Sequence, residues 1–184
     1  MRNRFNKPHN PRISYEQKYN SSRINLLVVT VFTFINLVLL VSNSDLYFLF
    51  SAFVPYIIGT YAMILCGKFP AEYYTDGLED VAIFDNTVFV ILLAIAIIIT
   101  ILYLIAWIFS SKHRVGWLIF ALVFFVIDTI GMFYFYGIAL DSIIDILFHV
   151  WVIYYLCVGI YAHFKLKSLP DEEEDEYLVA NGEQ

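Results

Sequence analysis

Residues 88–109 read VFVILLAIAIIITILYLIAWIF, an uncharged run that settles the class of fold. The hydrocarbon core of a bilayer is about 30 Å thick, and a helix rising about 1.5 Å per residue crosses it in about 20 apolar residues. Val88–Phe109 meets that length. Its β-branched residues, as in Ala94-Ile95-Ala96-Ile97-Ile98-Ile99, would suggest a strand in water. In lipid the backbone must satisfy its hydrogen bonds internally, so run length decides for helix. A membrane β-barrel would alternate polar and apolar residues over about ten positions, and this sequence shows no such alternation.

Outward from this run lie four more: Ile24–Val41, Leu46–Cys66, Trp117–Tyr136 and Ile143–Phe164. Together they predict an all-α, polytopic transmembrane bundle of five hydrophobic helices, four or five of them full spans, over residues 23–167. Residues 1–22 form a basic polar segment, disordered up to about Tyr15, from which a helix runs into the first span. Residues 168–184 form an acidic disordered tail. Composition agrees: 60% of the residues are hydrophobic and 15% charged, against about 45–50% and about 25% in soluble domains. The formal charge of -6 divides unevenly. Arg2, Arg4, Lys7, Arg12, Lys18 and Arg23 face one acid, Glu16, at the start, while Asp171–Glu176 is wholly acidic. That polarity speaks to membrane orientation and not to nucleic acid. Ser42-Asn43-Ser44 follows the first run as a signal-peptidase site would, but the long leader and core predict an uncleaved anchor. Trp107 and Trp117 flank Ser110–Arg114 as an interfacial belt.

Topology is where two signals conflict. With five spans and the N-terminus inside, Lys112, Arg114, Lys165 and Lys167 fall outside. If Leu46–Cys66 instead dips in and returns, or lies at the interface, every basic cluster is cytoplasmic and only Lys68 is outside, together with the acids Glu72, Asp76, Glu79, Asp80 and Asp85. The positive-inside rule favours the second arrangement. The length of the uncharged segment favours the first, and five spans is the expectation adopted. Ser51, Pro55 and Gly59 allow a kink and close packing there.

The residues with chemical content are those a bilayer should reject. Asp128 sits at the centre of Trp117–Tyr136, where an aspartate costs about 2.5–3.5 kcal/mol on insertion scales. Asp141, Asp145 and His149 follow at intervals of four on one helix face. With the hairpin turn near Ile138, Asp128 and His149 both lie about 15–17 Å from it, at mid-bilayer, so they can meet. The cluster Asp128, Asp141, Asp145 and His149 admits three readings. It is a structural pair that fixes helix packing, a proton or cation relay, or part of a metal site that lacks a complete ligand set. Asn36, Thr30 and Thr33 read as interhelical hydrogen-bonding groups, His163 as a headgroup-level residue, and Cys66 and Cys157, without a CxxC partner, as small hydrophobes. No GxSxG, HExxH, P-loop or GxGxxG occurs. No catalytic residue, cofactor or metal is assigned.

The strings Asn43-Ser44-Asp45-Leu46-Tyr47-Phe48-Leu49-Phe50-Ser51-Ala52 and Phe148-His149-Val150-Trp151-Val152-Ile153-Tyr154-Tyr155 resemble small multi-pass membrane proteins of Gram-positive bacteria. The resemblance implies a bacterial plasma-membrane setting and adds no mechanism. The functional expectation is a non-enzymatic membrane protein that packs with itself or a membrane partner, in the lipid bilayer, with its N-terminus cytoplasmic. The alternatives are a small oligomeric proton- or cation-coupled transporter or channel using the Asp/His cluster, and an enzyme acting on lipid, which needs a polar pocket open to the headgroups.

Overall fold

The computed structural model of the protein describes residues 11–74, 83–137 and 143–169. Among them are five α-helices and no strand: α1 (Pro11–Val41), α2 (Phe53–Leu65), α3 (Asn86–Phe109), α4 (Val115–Tyr136) and α5 (Ile143–Lys167). Single 3-10 turns lie at Ala71–Tyr74 and Ser111–His113. Helices α1, α3, α4 and α5 are long and apolar enough to cross a membrane. Ile138, Asp141, the tail Asp171–Glu176, the loop acids Asp76, Glu79 and Asp80, and Arg2, Arg4 and Lys7 lie outside the described residues.

Helix α1 starts at Pro11, four residues before Tyr15, with proline at a position where its missing N–H costs no bond. Its 31 residues reach about 46 Å, more than the hydrocarbon thickness, so part of it projects into the headgroup region. That projecting part meets the ends of α3 and α5. The Tyr19 hydroxyl donates to the Ser110 carbonyl at 2.6 Å, and Arg23 donates from Nε to Ser110 Oγ at 3.1 Å. Gly159 brings α5 against α1, since a Cβ there would collide with Ser22. Leu26 and Val29 of α1, Tyr103 of α3, Phe125 of α4 and Val152 and Leu156 of α5 fill the centre. Lipid is as apolar as these side chains, so close contact rather than exclusion from water holds them together.

The segment 46–66 departs from the five-span expectation. After Val41 the chain turns, with Ser44 N donating to Leu39 O at 3.0 Å. It then runs back in extended form beside α1 until Ala52 N reaches Thr33 Oγ1 at 2.8 Å. Helix α2 begins there and climbs parallel to α1, placing Gly59 against Leu37 and Leu40. Its 13 residues rise only about 20 Å, too little to cross. The segment therefore enters and leaves by the same end. Helix α3 follows at once: Phe84 N donates to Leu65 O at 2.8 Å, and Asp85 caps α3 by accepting from Thr87 N and Val88 N. Those two donors hold the Asp85 carboxyl below the usual carboxylate range.

Charge follows this path. Arg12, Lys18, Arg23, Lys112, Arg114, Lys165 and Lys167 gather at one end, joined by the contacts of Tyr19 and Arg23 and by Glu16 with His113 at 3.5 Å. Lys68 stands at the other. The positive-inside signal and the backbone path agree, and segment length alone misleads.

In a background with both cysteines replaced by alanine, Ser44→Cys and Lys68→Cys should react with an impermeant maleimide from one side of a sealed vesicle. Lys112→Cys and Lys167→Cys should react from the opposite side. Labelling of Ser44→Cys and Lys68→Cys from opposite sides would show that residues 46–66 cross.

Candidate functional site

A helix leaves its first four backbone N–H groups without intrahelical partners. At a helix start inside a membrane no solvent can take them, so each needs a protein acceptor or must be absent. For α2 every one is accounted for. Ala52 N donates to Thr33 Oγ1, while Phe53 N and Val54 N donate to Asp128 Oδ2 and Oδ1 at 2.8 and 2.7 Å. The fourth position is Pro55, which has no N–H. Asp128 thus caps from α4 the start of a helix that begins 75 residues away in sequence, and its carboxylate oxygens lie at the positive end of the α2 dipole.

The extended stretch before α2 is satisfied in the same manner. The Asn36 side chain accepts from Phe48 N at 2.8 Å and donates to Phe48 O at 2.6 Å, as a neighbouring strand would. Its amide also donates to Ser51 Oγ at 2.8 Å. Thr33 Oγ1, which receives Ala52 N, donates in turn to Val29 O at 2.7 Å. Asn36 and Thr33 therefore hold a non-helical strand of backbone rather than a neighbouring helix. Among the described residues Thr30 Oγ1 bonds within its own helix, to Leu26 O.

Asp128 and His149 meet. Their side chains are each 3% exposed, and Nε2 lies 3.2 Å from Oδ2. The other ring nitrogen, Nδ1, lies 2.8 Å from the backbone carbonyl of Asp145. A carbonyl only accepts, so Nδ1 carries a hydrogen. One further proton then sits between Nε2 and Oδ2, and the pair has no net charge whichever atom holds it. The ring stacks on Phe125 with centroids 5.0 Å apart and meets Phe148 edge-on at 5.7 Å. Packing on both sides fixes its orientation.

Of the other predicted residues, Asp145 contributes its backbone carbonyl here. Its carboxylate lies within electrostatic reach of Tyr47 and Tyr136. Asp141 lies outside the described residues. Among the described residues no three His, Cys, Asp or Glu side chains converge to hold a metal ion. His163 sits at the basic end between Tyr19 and His113, with ring centroids 5.9 and 6.1 Å away. Tyr103, 1% exposed, lies within electrostatic reach of Asp128, and its hydroxyl has no hydrogen-bond partner among the described residues.

The capping role of Asp128 escaped the sequence reading. The available signal was Pro55, nine residues after the start of the apolar segment Leu46–Cys66, since a proline marks a helix start as readily as a kink. Comparison with protein-family models, with known proteins and with solved structures returns no match for this chain.

Asp128→Leu removes the acceptor for two buried N–H groups and strands His149, and should cost about 3–5 kcal/mol in thermal or denaturant unfolding of the detergent-solubilised protein. Asp128→Asn keeps one acceptor oxygen but turns an NH2 group towards a backbone donor, and should cost about 1–3 kcal/mol. The double variant Asp128→Leu/His149→Leu should be no more stable than its α2 cap allows, and so remain well below the parent. Wild-type stability in Asp128→Leu would exclude the capping role.

Proposed function

We propose that the chain is a non-enzymatic plasma-membrane protein that crosses the bilayer four times, holds both ends in the cytoplasm, and acts by packing with a second copy or another membrane protein. The observation that carries this reading is the full engagement of Asp128. Its oxygens accept from Phe53 N and Val54 N and share a proton with His149 Nε2, and both ring nitrogens of His149 are engaged. A relay needs a group that can release its bonds and pass a proton along a wet path. Here the two bonds from Phe53 N and Val54 N also hold the start of α2, so releasing them undoes the re-entrant fold.

The cytoplasmic assignment of the ends rests on the gathering of basic residues around Tyr19, Ser110 and Lys165, and on the positive-inside rule. The bacterial plasma membrane rests on the resemblance of residues 43–52 and 148–155 to small multi-pass proteins of Gram-positive bacteria. The absence of catalysis rests on the missing motifs and on an Asp/His pair that is buried and already bonded.

One observation favours ion transport instead. The buried Tyr103 hydroxyl, unpartnered among the described residues and near Asp128, could pass a proton to that carboxylate. Purified protein in vesicles containing a pH-sensitive dye separates the two. The packing reading expects no proton or cation flux above that of empty vesicles under any imposed gradient. A flux abolished by Asp128→Asn and slowed by Tyr103→Phe would replace it. In intact cells, Lys68→Cys should react with an impermeant maleimide and Lys112→Cys only after permeabilisation.

A further inference from the structure

The end of the bundle opposite the basic clusters contains a cavity of about 520 Å³. It lies between the turn after α1, the outer half of α2, the 3-10 turn Ala71–Tyr74 and the end of α4. That volume is within the range of small-ligand sites, roughly 300–1,000 Å³. The cavity owes its shape to the re-entrant segment, because Tyr47 and Tyr56 enter it from the two limbs of that segment. The Tyr74 hydroxyl donates to the carbonyls of Met63 and Ile64 at 3.2 Å and pins the outer wall to α2.

Two features of the lining set the chemistry. It is aromatic: Tyr47 stands edge-on to Tyr56 with centroids 4.8 Å apart, Phe69 stacks on Tyr73 at 5.0 Å, and Tyr136 lies opposite. Its charged members are Asp45 and Glu72, and no lysine or arginine lines it among the described residues. Lys68, the nearest base in sequence, directs its ammonium to the Phe89 ring at 5.5 Å. The surrounding field has the same sign. Helices α1, α2 and α4 all end at this cavity, at Leu40, Ile64 and Tyr136, and a helix C-terminus carries the negative end of its dipole. Electron-rich ring faces beside carboxylates attract a cation that can also lie against apolar surface. A small metal ion would leave most of this volume and all of the rings unused.

The geometry points to a binding site for an organic cation, a quaternary ammonium or alkylamine, held by Tyr47, Tyr56, Tyr73 and Tyr136 with Asp45 as counter-charge. Such a group belongs either to a soluble amine or to a choline or ethanolamine lipid headgroup at the membrane surface. The site shares no residue with the Asp128–His149 pair, so the choline titration and the vesicle flux assay can fail separately.

The test uses the full chain in nanodiscs of phosphatidylglycerol, titrated calorimetrically with choline and with its uncharged carbon isostere 3,3-dimethylbutan-1-ol. Choline should bind at least about tenfold more tightly than the isostere. Asp45→Asn, at an exposed position, should weaken choline about threefold or more and leave the isostere unchanged. Tyr73→Leu, also exposed, should weaken both, and each variant should melt as the parent does. Phosphatidylethanolamine added to the discs assigns the source: competition with choline identifies the lipid headgroup, and its absence a soluble amine, with the site upheld in both cases. Equal affinity for choline and the isostere, no binding of choline up to about 10 mM, or binding that neither variant changes overturns the proposal.

Discussion

Four backbone positions at the start of α2 govern this fold. In water a helix can begin almost anywhere, because solvent takes the N–H groups that the helix cannot. Inside a bundle of apolar helices each orphan donor costs about 1–3 kcal/mol or more. A helix beginning at the depth of Thr33 is tolerable only if the protein brings acceptors to it. Thr33 brings one, Asp128 brings two, and Pro55 removes the need for the last. The extended stretch before α2 obeys the same rule through Asn36. Polar side chains from α1 and α4 therefore replace the water that the re-entrant backbone would otherwise require.

The four long helices were legible because hydrophobic length is a local property, written in contiguous residues. The meeting of Asp128 with His149 was legible as well. A short hairpin fixes depth by counting residues from its turn, and both residues count to the same level. The re-entrant path was not legible from hydropathy. A segment buried in protein at membrane depth carries as little charge as one that crosses, so Leu46–Cys66 reads alike in both cases. Its caps are supplied by residues up to 75 positions away, beyond the reach of any local pattern. Only the distribution of lysine and arginine pointed to the right path, because charge reports the side on which a segment ends rather than its length.

The two ends of the molecule are built from different chemistry for related reasons. At the basic end α1 outruns the hydrocarbon, and Tyr19 and Arg23 bond the carbonyl and hydroxyl of Ser110, just past α3. That end is tied together by direct hydrogen bonds. At the other end the re-entrant segment occupies the space a fifth spanning helix would fill, yet climbs only part of the way. The short helix and its extended limb leave a hollow between α1, α2 and α4. The tyrosines lining it suit a boundary between lipid and water, where an apolar ring with a polar tip is at home.

The choice of aspartate at position 128 follows from the cap and leads on to His149. A serine or threonine would offer one oxygen, but Phe53 and Val54 need two acceptor atoms side by side, as a carboxylate provides. An asparagine has the right shape and only one accepting atom. The carboxylate satisfies the geometry at the cost of a charge in a site 2% exposed. His149 answers that cost, because its Nδ1 is committed to the Asp145 carbonyl and its Nε2 shares a proton with Asp128. The pair is then neutral as a whole. Cap, counter-group and backbone anchor form one chain of necessity, in which each member exists to satisfy the one before it. An Asp/His pair at mid-membrane depth is commonly read as a sign of transport. Here its bonds are accounted for by the start of a helix.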